Sequence, residues 1–88
     1  MKILYHKSFK KSYKKRFLHN KKVVDVISLR IQLFSINPND LKLRTHTLLG
    51  SRKGFYSFSV TGDIRIIFYY DQNNDAVLID IGTHNQVY

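Results

Sequence analysis

No cysteine occurs among the 88 residues of the sequence. That absence excludes a disulfide framework and a thiolate metal site, and it fits a reducing compartment. Long apolar runs are missing as well. The opening "MKILYHKSFKK" carries too short an apolar stretch for a signal peptide, and nothing approaches the roughly 20 apolar residues of a membrane span. The expected location is the cytoplasm. Acidic residues are scarce and unevenly placed. Residues 1–24 contain none, beside Lys2, Lys7, Lys10, Lys11, Lys14, Lys15, Arg16, Lys21 and Lys22. Further along, Arg30, Lys42, Arg44, Arg52, Lys53 and Arg65 are balanced by the six acidic residues of the chain. The formal net charge of +9 therefore belongs to the N-terminal quarter. Such a field attracts nucleic acid, an anionic membrane or an acidic protein partner, although a purely solubilising face has the same composition.

Repeats, low-complexity stretches and linkers are also absent, so residues 1–88 are expected to form one domain with one modest core. What the chain does have is clear periodicity. "MKILYH" reads as a short strand. From Ser8, a candidate N-cap, Phe9, Tyr13 and Phe17 recur every four residues and predict a basic helix with a narrow apolar stripe. Asn20 can cap a second helix in which Val24, Ile27, Ile31 and Phe34 keep helical spacing. Pro38, the only proline, ends it. After Pro38 the period drops to two. "LKLRTHTLLGSRKG" reads as mostly loop, and "FYSFSV", "IRIIFYYD" and "AVLIDIG" read as three strands joined by hairpin turns. One parity collects Tyr56, Phe58, Val60, Ile64, Ile66, Phe68, Val77, Ile79 and Ile81. The other collects Ser57, Ser59, Asp63, Arg65, Asp80 and, by extension, His84. The predicted class is α+β, a small antiparallel sheet with an N-terminal two-helix hairpin packed on one face in the order β-α-α-β-β-β.

Four histidines bear on chemistry. His6 and His19 flank the first helix and are assigned surface or capping roles. His46 and His84 could both reach the polar sheet face near Arg65. No pair has metal-ligand spacing, so no metal and no cofactor is expected. Phosphodiester cleavage of RNA suits such a set, because RNA supplies its own nucleophile in the 2′-hydroxyl. Histidine, titrating near about 6.5, suits the proton transfers. The arginine fork suits a phosphate, and an aromatic such as Tyr88 can stack on a base. On this reading alone, a strand arginine and a terminal tyrosine serve equally well as structural residues.

The order of parts narrows the choice. A basic helix hairpin, then "HTLLGSRKGFYSFSVTGDIRIIFYY", then a strand ending "IGTHNQVY" resembles the RelE/ParE superfamily of bacterial toxins, and within it the YafQ-like mRNA interferases. The likeness is specific from His46 to Tyr88 and loose over the helices. It implies a type II toxin that cuts ribosome-bound mRNA without a metal. It implies catalytic roles for His46 and His84, with His84 as general acid, for Asp63 in orienting a charged histidine, and for Arg65 on the scissile phosphate. Tyr88 would contact a base, and Arg52 and Lys53 would contact phosphate. Lys7, Lys10, Lys11, Lys14 and Lys15 would face ribosomal RNA, and the implied partners are the ribosome, mRNA and a cognate antitoxin with an acidic or amphipathic segment. One position departs from the pattern: Ser59 stands where YafQ-like enzymes often carry a histidine. Two other readings belong to the same fold, a gyrase-inhibiting ParE-type toxin and a non-catalytic RNA-binding module.

Overall fold

The computed structural model describes residues 1–88. Its elements run β1 (Ile3–Tyr5), α1 (Lys7–Arg16), α2 (Lys21–Ile36), β2 (His46–Thr47), β3 (Tyr56–Ser59), β4 (Ile64–Tyr70), β5 (Ala76–Thr83) and α3 (His84–Val87). The sheet has five strands in the order β1-β5-β4-β3-β2. Strands β2 to β5 form the expected antiparallel run, whereas β1 pairs parallel to β5. The sheet is mixed because a parallel neighbour cannot be reached by a tight turn. The chain leaves β1, builds α1, α2 and the whole antiparallel meander, and only then returns beside it.

Helix α2 starts and stops where its residues require. The Asn20 side chain accepts a hydrogen bond from the Val23 N–H at 3.3 Å, and the chain leaves helical angles at Asn37, just before Pro38. Helix α1 begins differently from expectation. His6, not Ser8, is its N-cap, and its ring accepts from the Ser8 N–H at 3.1 Å. The Ser8 hydroxyl instead donates to the Ile79 carbonyl at 2.6 Å, which ties the start of the helix to β5.

Core packing explains the alternation in β3 and β4 and corrects it in β5. Phe58, Val60, Ile64, Ile66 and Phe68 all enter the core, as their parity predicts. In β5 the partners of Ile66, Ile67 and Phe68 are Ile81, Asp80 and Leu78, so Ile79 is an extra, unpaired residue. This bulge reverses the parity upstream of it. Ala76, Leu78 and Ile81 face the core, and Val77 and Ile79 do not belong to it. From above, Phe34 of α2 closes the core, stacked on Phe58 with centroids 4.4 Å apart and edge-on to Phe68 at 4.8 Å. Between α1 and α2 the two helices leave an apolar cleft of about 340 Å³, lined by residues including Phe9, Tyr13, Val24, Ile27 and Ile31.

The segment read as loop contains one more strand. His46 and Thr47 pair with Ser57 and Tyr56 and add β2 at the sheet edge. Two residues are too few to establish a period, and it is the free edge of β3 that recruits them. No helix is long and apolar enough to cross a membrane.

Candidate active site

The C-terminal tail is held at several points. After Gly82, Thr83 is extended and α3 begins at His84, so His84 sits in a helical turn and does not extend the strand parity. "THNQ" is a capping-box sequence, and the Gln86 side-chain oxygen accepts from the Thr83 N–H at 2.8 Å. The His84 N–H donates to the Asp63 carbonyl at 3.1 Å, and the Tyr88 N–H donates to the His84 carbonyl at 3.0 Å. The Arg52 guanidinium donates to the Val87 carbonyl, and the Val87 side chain is buried. The Arg16 and Gln86 side chains both approach the Gly82 backbone closely. A Cβ there would lie 2.7 Å from Arg16 Nη1 and 2.8 Å from Gln86 Oε1.

Around this tail three aromatic side chains converge. The Tyr88 ring stands edge-to-face on His84, with centroids 4.6 Å apart, and lies 6.3 Å from the His46 ring. Its hydroxyl donates to Ser57 Oγ and lies 3.4 Å from His46 Nε2. Ser57 is fully buried, whereas His46, His84 and Tyr88 are exposed. On the far side of its ring, His46 Nδ1 is 3.2 Å from the Arg44 carbonyl. A carbonyl can only accept, so Nδ1 carries the proton, and in the neutral ring Nε2 holds a free lone pair. Arg44 aims that carbonyl from a left-handed backbone conformation (φ 49°), which costs a non-glycine residue about 1 kcal/mol or more. The arrangement is an exposed, tautomer-fixed imidazole, a second histidine and an aromatic ring between them. It can accept one proton and deliver another across a bound phosphodiester.

Other expected residues are placed elsewhere. Arg65 pairs with Ser59 and Gly82, but its guanidinium is taken up by main-chain carbonyls at the β3–β4 turn. Its Nη1 donates to the carbonyls of Thr61 and Gly62, both at 3.0 Å, and of Ile64 at 3.3 Å. The Asp63 carboxylate pairs with no histidine. The sole salt bridge joins Arg16 to Asp80 at 3.3 Å, and Asp63 reaches His84 only through its main-chain carbonyl. Arg52 braces the tail, and Lys53 is exposed. Lys7, Lys10, Lys11, Lys14 and Lys15 are all exposed along α1. Ser57 was on the polar parity but had no assigned role. A small hydroxyl residue between two aromatics on a strand is the signal that could have marked it. No cluster of three His, Cys, Asp or Glu side chains forms anywhere in the chain.

The family described as "Bacterial toxin of type II toxin-antitoxin system, YafQ" matches residues 1–88. This chain belongs to the YafQ toxin family. It is a toxin of a type II toxin–antitoxin system. YafQ from E. coli strain BL21(DE3) has a similar structure, with a TM-score of 0.77 at 22% identity over 98% of this chain and 96% of that one. The E. coli DinJ–YafQ toxin–antitoxin complex gives 0.74 at 22% identity, covering 98% of this chain and 94% of that one. The YoeB–YefM complex from Staphylococcus aureus gives 0.73 at 20% identity, covering 96% and 97%. No curated protein matches the chain at a significant level. In this YafQ-family toxin, Ser59, at the position where a histidine was expected from the resemblance, is buried opposite Arg65 and cannot act as a proton acceptor at neutral pH.

Proposed function

We propose that this toxin is a ribosome-dependent endoribonuclease that cleaves mRNA, acting in the cytoplasm as a single domain over residues 1–88. The observation that carries the reading is the convergence of two exposed histidines, His46 and His84, on the Tyr88 ring, with His46 Nε2 3.4 Å from the Tyr88 hydroxyl. His46 Nε2 takes the proton from the nucleotide 2′-hydroxyl. The 2′-oxygen attacks the adjacent phosphorus while the bond from phosphorus to the 5′-oxygen breaks. Protonated His84 donates to the departing 5′-oxygen, leaving a 2′,3′-cyclic phosphate and a 5′-hydroxyl. These proton steps use side chains alone, so the reaction proceeds without a metal. Tyr88 stacks on a base beside the break. Arg52, held against the Val87 carbonyl, and Lys53 supply positive charge next to the tail.

The exposed lysines of α1 dock on ribosomal RNA, where releasing counterions favours binding. Two structural neighbours are toxins in complex with an antitoxin, which supports a cognate antitoxin as the protein partner here. An acidic segment that folds on binding suits the positive field of residues 1–24.

The test is in-vitro translation with purified toxin, read by primer extension on the mRNA, beside the same mRNA without ribosomes. Breaks at defined codon positions that need ribosomes, and that disappear in His84→Ala and His46→Ala with the fold intact, are the expected result. Intact mRNA, with growth still arrested on induction in cells, would overturn the nuclease in favour of a gyrase-type toxin.

A further inference from the structure

At the rim of the sheet where β3 turns into β4, a second cavity of about 190 Å³ collects positive charge. Arg30 comes from α2, Lys42 and Arg44 from the 3-10 turn at Leu41–Leu43 and its C-cap, and Arg65 from β4. Ser59, Val60, Thr61 and Gly62 complete the wall, and no acidic residue lines it. None of the four cations is in an ion pair, since the sole salt bridge is elsewhere. Two of them are held by main-chain carbonyls: Arg30 Nη1 donates to Lys42 O at 3.1 Å, and Arg65 Nη1 donates to Thr61 and Gly62, whereas Lys42 and Arg44 are exposed. The Asp40 carboxylate is occupied as a cap accepting from the Lys42 N–H at 2.8 Å, and that of Asp63, next to Gly62, pairs with none of the four cations. Four like charges around one small polar cavity repel one another, and an anion within it relieves that repulsion. A phosphate oxygen set is the anion that arginine forks grip best.

The cavity is physically coupled to the histidine site. The Arg44 carbonyl holds His46 Nδ1, so one residue serves both places. Arg65 pairs with Ser59, and Ser59 lies two residues along β3 from Ser57, which holds Tyr88. Two residues of strand span about 7 Å, close to one nucleotide of extended backbone. The histidine site and the cationic cavity thus share Arg44 and the β3–β4 pair, the cavity lying at the sheet rim beside α2.

We propose that Arg30, Lys42, Arg44 and Arg65 form a subsite for the mRNA backbone phosphate that neighbours the scissile one. On this assignment Arg65 positions the strand and does not sit on the scissile phosphate. The inference rests on the nuclease reading for its choice of RNA, but its test does not depend on cleavage. The choice of mRNA over ribosomal RNA follows from Arg44, which lines the cavity while its carbonyl holds His46, whereas the lysines proposed to meet ribosomal RNA lie on α1.

The experiment is an amide-resolved NMR titration of the purified toxin with a short RNA made uncleavable by a 2′-O-methyl group. Inorganic phosphate serves as a second probe. The Arg44, Thr61, Gly62 and Arg65 amides are expected to shift with both probes. Replacing one neighbouring phosphate with a neutral methylphosphonate should weaken RNA binding roughly tenfold, the size of one charge-assisted contact. That sensitivity should vanish in Arg44→Asn, which keeps a residue tolerant of the left-handed backbone, and independently in Arg30→Gln. Unmoved Thr61 and Gly62 signals, or equal binding of every methylphosphonate RNA, would overturn the proposal. Loss of affinity for mRNA-free ribosomes in either variant, with unchanged oligonucleotide binding, would assign the cavity to ribosomal RNA and overturn it too. If the oligonucleotide result holds while mRNA is never cut, the subsite stands and the nuclease reading fails.

Discussion

Replacing Ser57 with alanine deletes one hydroxyl from a fully buried position beneath the tail, and with it the hydrogen bond to the Tyr88 hydroxyl. The stability cost is bounded from the structure. Tyr88 is 43% exposed, so its freed hydroxyl turns to water and no buried polar group is orphaned. What remains is the net worth of one hydrogen bond, about 1 kcal/mol. For a chain of this size that lowers the melting temperature by roughly 4–8 °C. The effect on cleavage has the same origin. Tyr88 loses one of the contacts that hold its ring between the two histidines, and about 1 kcal/mol of lost positioning slows single-turnover cleavage roughly fivefold. Tyr88→Phe removes the other half of the same bond and should slow the reaction equally. The double variant should be no slower than either single one, a coupling of about 1 kcal/mol. Tyr88→Ala should be slower still, because the edge-to-face contact with His84 goes as well. Ribosome-dependent cleavage read by primer extension, with thermal denaturation of each variant, measures all four. Full activity in Ser57→Ala, or single effects that multiply to roughly 25-fold in the double variant, would refute the idea that Ser57 positions Tyr88.

Two further outcomes follow from the packing and the charge map. Phe34→Ala removes a ring with no exposure from between Phe58 and Phe68 and should cost about 3–5 kcal/mol in denaturant unfolding. A loss under about 1 kcal/mol would mean that the core is not organised around that ring. Changing Lys10, Lys11, Lys14 and Lys15 to Gln should weaken ribosome association and flatten its salt dependence, with unfolding unchanged, because all four side chains are exposed. Unaltered association at low salt would leave α1 as a solubilising face.

Much of this protein could be read from neighbours within a few residues. Asn20 and Pro38 bracket α2 because capping and the missing proline N–H act locally. Ile27 and Phe34 point to the core because helical spacing puts them on one side, and the alternation through Phe58, Ile66 and Phe68 does the same for the sheet. The motif "GTHNQVY" singled out the tail, and the Tyr88 ring does lie near those of His84 and His46.

Three features were not legible, each because its partner is distant in sequence. The bulge at Ile79 arises where β5 must pair with β4 while Ser8 of α1 holds the Ile79 carbonyl, and nothing in "AVLIDIG" announces it. His46 reads as a loop residue until the edge of β3 makes it a strand and sets it against Ser57. Arg65 has the right parity for the histidines, yet its guanidinium follows the carbonyls exposed by the Thr61–Gly62 turn. The sequence by itself determined the type of the longer elements, core membership in β3 and β4, and the one-sided charge, since propensity, period and composition are local quantities. Register, tautomer and the direction of a long side chain were decided by tertiary structure alone, because unpaired donors and acceptors find their partners only once the chain has closed on itself.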